Sequence, residues 1–396
     1  MAGKRLFLLI SSVVLVLAVA TTFADCPSAD LTGDCFVDFE DFSVIGANWL
    51  NGYDYNDVNT LASQWLTTDP CVPGDMAYIP DGAFQMGDSF EEGWLDELPV
   101  HTVTIHSFYM STCEITNAQY CDFLNSAAVK VISGIVYASS DDSNSYPYCD
   151  THDYDSDSQI DYAGGVFTVR SKSGRDMSND PMVEVSWYGA VAYCNWRSNQ
   201  EGRQQCYNLS TWECDFSKHG YRLATEAEWE YAARGGLSGK RFPWGDTISH
   251  TQANYYSSSC SYDISPTRGD HPLWNDGIWP YTSPVGFFDG SLRHKSNFNW
   301  SASQSSYQTT SGANGYGLYD MAGNVWEWCH DWCSSTYYST TPYPHVNPTG
   351  PTSGTWRVLR GGYWHIGANY CRVAYRNYHY PYGRGSGRGF RVVLDF

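Results

Sequence analysis

The chain has 396 residues, a formal net charge of −20 and 17% charged residues, against 16% aromatic. So acidic a surface excludes nucleic acid as a partner, and so aromatic a chain excludes intrinsic disorder. Thirteen cysteines, an odd number, predict disulfides if the chain is exported, with at least one thiol left over.

The N-terminus supports export. Lys4 and Arg5 precede an apolar run from Leu6 to Ala20, and small residues follow as far as Ala24. That layout predicts a signal peptide over residues 1–24 and a secreted or periplasmic protein. The run is too short for the roughly 20 residues of a spanning helix, and no other long apolar stretch exists, so no membrane span is expected.

Residues 30–41 place oxygen donors at the spacing of a twelve-residue calcium loop. Asp30, Thr32, Asp34 and Asp38 offer side chains, Phe36 its carbonyl, and Asp41 the closing carboxylate. Cys35 stands where such loops usually carry glycine, and Asp41 where an EF-hand has Glu. Two amphipathic segments, Phe42 to Leu50 and Val58 to Leu66, end in Ala-Asn-Trp-Leu and Ser-Gln-Trp-Leu. The pair resembles a dockerin repeat whose second loop has shrunk to Asn51–Asp57. The resemblance implies a small α-helical module over 25–70 that captures a cohesin-like protein, then a linker over 71–75.

Beyond the linker, caps mark three helices. Thr116 with Gln119 opens Asn117–Asn125, Ser186 opens Trp187–Arg197, and Thr225 with Glu228 opens Glu226–Arg234 ahead of Gly235. Alternating runs at Val100–Ile105 and Phe390–Leu394 predict strands, separated by long loops rich in Gly, Ser, Asn and Asp. Residues 139–178 read as an acidic surface excursion carrying a hairpin near Thr168–Arg170. The class expected is α+β and loop-rich. The segment Gly315–Trp328 keeps no steady period and reads as a loop, with Asp320 and Glu327 bracketing the bare backbone of Gly323. Carboxylate and carbonyl oxygens on one loop suit a hard cation such as calcium.

That segment also resembles the GLYD-x-x-GNVWEW signature of the formylglycine-generating enzyme family, or sulfatase-modifying-factor domain. Other motifs follow in the family's order. They are Met76–Gly87, Glu97-x-Pro-x-His101, Glu114-Ile-Thr-Asn117, Arg222–Arg234, Phe242–Asp246, Arg357–Gly362 and Gly389–Arg391. The resemblance spans about residues 73–396 and implies a variant of the C-type lectin fold over 76–396. It also implies two structural calcium sites, one on Asn254, Tyr255, Asp276 and Ile278, the other on Asp320, Gly323, Val325 and Glu327.

The family's enzymes oxidise a sulfatase cysteine with copper(I) and oxygen, using two cysteines five apart. Counted from Gly361-Gly362, those positions hold Ile366 and Cys371, and Tyr363 replaces the serine after the glycines. Ile cannot bind copper(I), which takes soft thiolates, so copper is not expected. Cys371 is then expected as half of a disulfide with Cys329 or Cys333. His330, His365 and His379 offer an alternative metal set. The leading reading is a noncatalytic, calcium-stabilised binding domain; the alternative is a formylglycine-generating oxidase. An unrelated oxidation on the same scaffold ranks third, because the helical iron-binding domain of sulfoxide synthases is missing.

Overall fold

The computed structural model describes residues 76–395. The predicted signal peptide, the dockerin-like module with Asp30, Thr32, Asp34, Phe36, Asp38 and Asp41, and the linker all lie outside the described residues. The chain divides between Asp69 and Pro70, and everything described below belongs to the second unit.

Three helices form where the caps predict. Helix α1, Asn117–Ser126, and helix α3, Glu226–Arg234, each close a reciprocal capping box, Thr116 with Gln119 and Thr225 with Glu228. Helix α2, Trp187–Gln200, starts with the Ser186 side chain accepting the Gly189 N–H. Gly235 ends α3 at φ 53°, in the left-handed region that glycine adopts without a Cβ penalty.

Around the helices lie short sheets joined by loops. One has four antiparallel strands in the order Met76–Ile79, Phe108–Ser111, Val393–Leu394 and Tyr221–Arg222, so the C-terminus is sewn between early strands. A second runs Asn377–His379, Arg357–Arg360, Trp326–Trp332 and Arg388–Gly389. A third sets His345–Val346 and Gly82–Met86 on either side of His101–Ile105.

Some expectations need correction. The signature loop ends early, because Trp326, Glu327 and Trp328 open a strand. That strand is buried on both faces, which removes the alternation that betrays a strand in sequence. Phe390–Val392 is extended but outside the strand, its Phe390 and Val392 carbonyls accepting the Ile115 and Ser111 amides. The excursion at 139–178 does carry a hairpin, Ile160–Ala163 with Val166–Val169. It is not merely superficial: Ile160, Phe167 and Met177 are buried, and the Asn125 side chain bonds both main-chain polar groups of Phe167.

Buried arginine–carboxylate pairs run alongside the apolar clusters. Glu226 is held by Arg376, Glu228 by Arg222, Glu230 by Arg234 and Arg360, and Glu97 by Arg372. All of these groups are buried. Planar guanidinium and carboxylate match in two parallel bonds, so Glu226 of α3 fixes the loop at Arg376, Glu228 the strand at Arg222 and Glu230 the strand at Arg360.

Candidate functional site

The last loop, Gly361 to Cys371, holds the positions where thiol chemistry was sought. Gly361 and Gly362 stand at φ 95° and 84°. A Cβ on Gly362 would lie 2.5 Å from Cys371 Sγ, so only glycine lets the loop close over that sulfur. Cys371 is fully buried among Phe242, Ile248, Ala253, Tyr255, Ala322 and Ala368. Burial pushes its thiol well up, with Asp263 and Cys260 adding to the shift. It is therefore a protonated thiol at neutral pH.

The predicted disulfide does not form. Cys371, Cys329 and Cys333 are all free. Cys329 and Cys333 pack with the α3 cluster, Cys371 with the Phe242 cluster, so the sulfurs belong to different cores. Ile366, half-buried, bridges the Cys371 cluster and the neighbouring core, and its carbonyl accepts the Tyr256 amide at 3.0 Å. Tyr363 takes the serine position, its ring against the backbone of Gly387, where a Cβ would come within 2.2 Å. The residues present do not fit copper(I) at the family position, since Ile366 offers no donor. Cys260 was missed in the sequence; nothing in its spacing ties it to residue 371, yet it packs on the same apolar cluster.

The same loop also carries His365 into an exposed aromatic patch. His365 Nδ1 lies 2.5 Å from Asp270 Oδ1, and Tyr256 and Trp279 meet the imidazole at ring-centroid distances of 5.5 and 5.3 Å. Trp279 is 45% and Tyr256 39% exposed, large areas for rings that pack so readily elsewhere in this chain. The histidines do not form a metal site together. His330 is half-buried beside Tyr207 and Phe216, its pKa driven well down by desolvation and by Arg357 and Arg222. His379 packs against Gly383 and Tyr380.

The predicted calcium ligands fall into two groups that touch at Asn254 and Gly323. Gly323, at φ 92°, leaves 2.3 Å between a hypothetical Cβ and Asn254 O, and the Asn324 amide donates to that same carbonyl at 2.8 Å. Asn254 Nδ2 bonds Tyr281 O, while its Oδ1 is buried without a partner. The Tyr255 carbonyl lies 3.0 Å from His250 Nε2. Asp276 and Ile278 instead face a lysine: Lys172 Nζ is 3.4 Å from Asp276 Oδ1, donates to Ile278 O at 3.0 Å and also bonds Pro280 O. That half of the set already holds a cation of the protein's own and does not fit calcium.

The signature-loop set is likewise engaged in part by the protein's own groups. Asp320 stands at φ 57°, accepts the Gly286 amide at 2.6 Å, and is pushed up to about 6 by burial. Glu327 is gripped by Arg391 through two 2.7 Å bonds and receives the Trp229 indole N–H. Val325 is fully buried beside them. Glu114, absent from the predicted set, is buried with neither carboxylate oxygen partnered. Burial, then Asp320 and Glu327, raise its pKa far above the usual range. Three buried carboxylates thus lie near the single cation Arg391, which takes both oxygens of Glu327, and they offer oxygen donors, the type that calcium takes.

Comparison with known proteins now places the chain. The profile of the sulfatase-modifying factor enzyme 1-like domain matches residues 64–396. The chain belongs to that family. It is 33% identical to a formylglycine-generating enzyme of Streptomyces coelicolor, over 80% of this chain and 88% of that one. To the formylglycine-generating enzyme of Bos taurus it is 30% identical, over 82% of this chain and 76% of the other. A serine/threonine-protein kinase, pkn1 of Chlamydia caviae, is 31% identical over 81% of this chain but only 38% of its own length. Among solved structures, Treponema denticola variable protein 1 and PvdO from Pseudomonas aeruginosa share the fold. Each has a TM-score of 0.50 and 24% identity, covering 81% of this chain and 94% of theirs. Family membership fixes the scaffold and leaves the activity to the site residues.

Proposed function

We propose that this member of the sulfatase-modifying-factor family is a noncatalytic binding domain, stabilised by calcium on the Asp320–Glu327 loop. In this reading it is exported and tethered to a cohesin-like partner through residues 25–70. The observation that carries the proposal is the replacement of the first family thiol by Ile366, beside a Cys371 that is buried and protonated. One neutral thiol supplies neither the two-sulfur cradle of copper(I) nor a ready nucleophile. The exposed Trp279 and Tyr256 rings beside the His365–Asp270 pair supply the binding face. Aromatic rings with a polar handle are the side chains most enriched at such sites.

Copper(I) titration against a competing chelator tests the premise. The parent protein binds no copper(I) tightly, and Ile366→Cys gains a site. A second reading, formylglycine generation, is favoured by one observation: Cys260 shares the Cys371 cluster and could stand in for the missing sulfur. Tight binding by the parent that disappears in Cys260→Ser would support that reading and remove the first.

A further inference from the structure

Residues 153–161 of the excursion read Asp-Tyr-Asp-Ser-Asp-Ser-Gln-Ile-Asp, acids at alternate positions ahead of the hairpin. Asp155 and Asp157 lie on one turn, where Asp155 Oδ1 accepts the Asp157 amide at 2.9 Å. Two acids on a turn are ordinary. The third carboxylate is not on that turn: Glu184 comes from the segment leading into α2, and it is 3% exposed. One oxygen from each of Asp155, Asp157 and Glu184 lies within 4.8 Å of the others. Neither Glu184 carboxylate oxygen accepts a hydrogen bond from any described residue.

A buried carboxylate facing two others without a donor is costly unless something positive joins them. Burial, then Asp155, Asp150 and Asp157, push the Glu184 carboxyl up to about 9. Arg388 acts in the opposite direction but forms no ion pair with it. Arg384 is committed to Asp150 through a 2.7 Å bond. The Glu184 main chain is pinned, its amide donating to Gly385 O and its carbonyl accepting the Asp150 amide, at φ 54°. The backbone that carries the side chain is thus anchored on both sides, and the carboxylate lies beside the turn.

We propose that Asp155, Asp157 and Glu184 bind a divalent cation, calcium by the chemistry of the donors, which staples the excursion to the entry of α2. Only oxygens converge, which disfavours zinc and copper. They come from two separate segments, which suits the larger and more tolerant calcium over magnesium. None of these residues belongs to the calcium sets that the family resemblance implies.

The test is calorimetric titration of the chelator-stripped full chain with calcium, comparing the parent with Asp155→Asn/Asp157→Asn and with Glu184→Gln. The parent should bind one more equivalent than either variant. Terbium soaked into crystals of the parent should give an anomalous peak within about 3 Å of the three carboxylates, close to calcium–oxygen bonding distance. The turn variant changes only half-exposed residues and keeps the test valid if Glu184→Gln fails to fold. Equal stoichiometry in the parent and a folded turn variant, or no terbium peak at the trio, would overturn the proposal.

Discussion

Lys172 Nζ lies 3.4 Å from Asp276 Oδ1 and donates to the carbonyl two residues further on. The lysine comes from the excursion, and both it and Asp276 are nearly inaccessible, with side chains 4% and 9% exposed. An ammonium on its own stem therefore holds the loop that the family resemblance gives to a metal ion. Burial lowers the Lys172 pKa, Arg175 lowers it further, and Asp276 raises it.

Lys172→Ala should cost about 3 kcal/mol, the usual loss when one partner of a buried pair is removed. Denaturant unfolding measures it. If the ammonium has replaced a calcium ion, millimolar calcium should stabilise the variant more than the parent. A loss below about 0.5 kcal/mol would show that the lysine is incidental.

Gly387→Ala should destabilise by about 1–3 kcal/mol, because its Cβ would meet the Tyr363 ring at 2.2 Å. Tyr363→Ser opens that space, so the double variant should recover most of the loss. A double-mutant cycle with zero coupling would refute the packing account of the serine replacement.

Glu114→Gln should matter only when calcium is present. Burial, Asp320 and Glu327 keep the Glu114 carboxyl in its neutral form without the ion, so the isosteric amide should leave stability within about 0.5 kcal/mol of the parent. With calcium in excess it removes a ligand and should weaken the calcium-induced rise in melting temperature. An undiminished calcium-induced rise would exclude Glu114 from the calcium site.

Stability should fall below pH 6.5 through His271. One ring nitrogen lies 2.8 Å from His250 O, and the other accepts the Leu273 amide, so the ring is held neutral. Burial drives its folded pKa well below 6.5, and His250 adds to the shift. The unfolded chain then binds the proton first, and stability drops by up to about 1.4 kcal/mol per pH unit as pH falls through the window below 6.5. His271→Asn should flatten that slope over pH 5–6.5. An unchanged slope would mean that other groups carry the acid sensitivity.

Local signals in the sequence went furthest where a side chain bonds its own neighbourhood. Thr116, Ser186 and Thr225 mark their helices within three residues, and the helix starts follow. The family motifs locate Ile366 and Cys371 by counting from two glycines. What stayed illegible depends on long-range approach. Trp326–Trp328 hides its strand because both faces are buried, and Cys260 meets the Cys371 cluster across 111 residues. Glu114 faces Asp320 and Glu327 across about 200 residues of chain, and no spacing rule reaches so far. The expected Cys371 disulfide failed for the same reason, since neighbours in sequence were assigned to one core and fold into two.

The most direct test of the central claim is aldehyde formation. A peptide carrying Cys-x-Pro-x-Arg is incubated with the protein, copper and oxygen, and the product is read by mass spectrometry. The parent should give no aldehyde, because Ile366 removes one of two required sulfurs and Cys371 stays protonated. Ile366→Cys should gain copper binding at most, with Tyr363 still in the serine position. Turnover by the unmodified parent would contradict the noncatalytic reading and make the protein a formylglycine-generating oxidase.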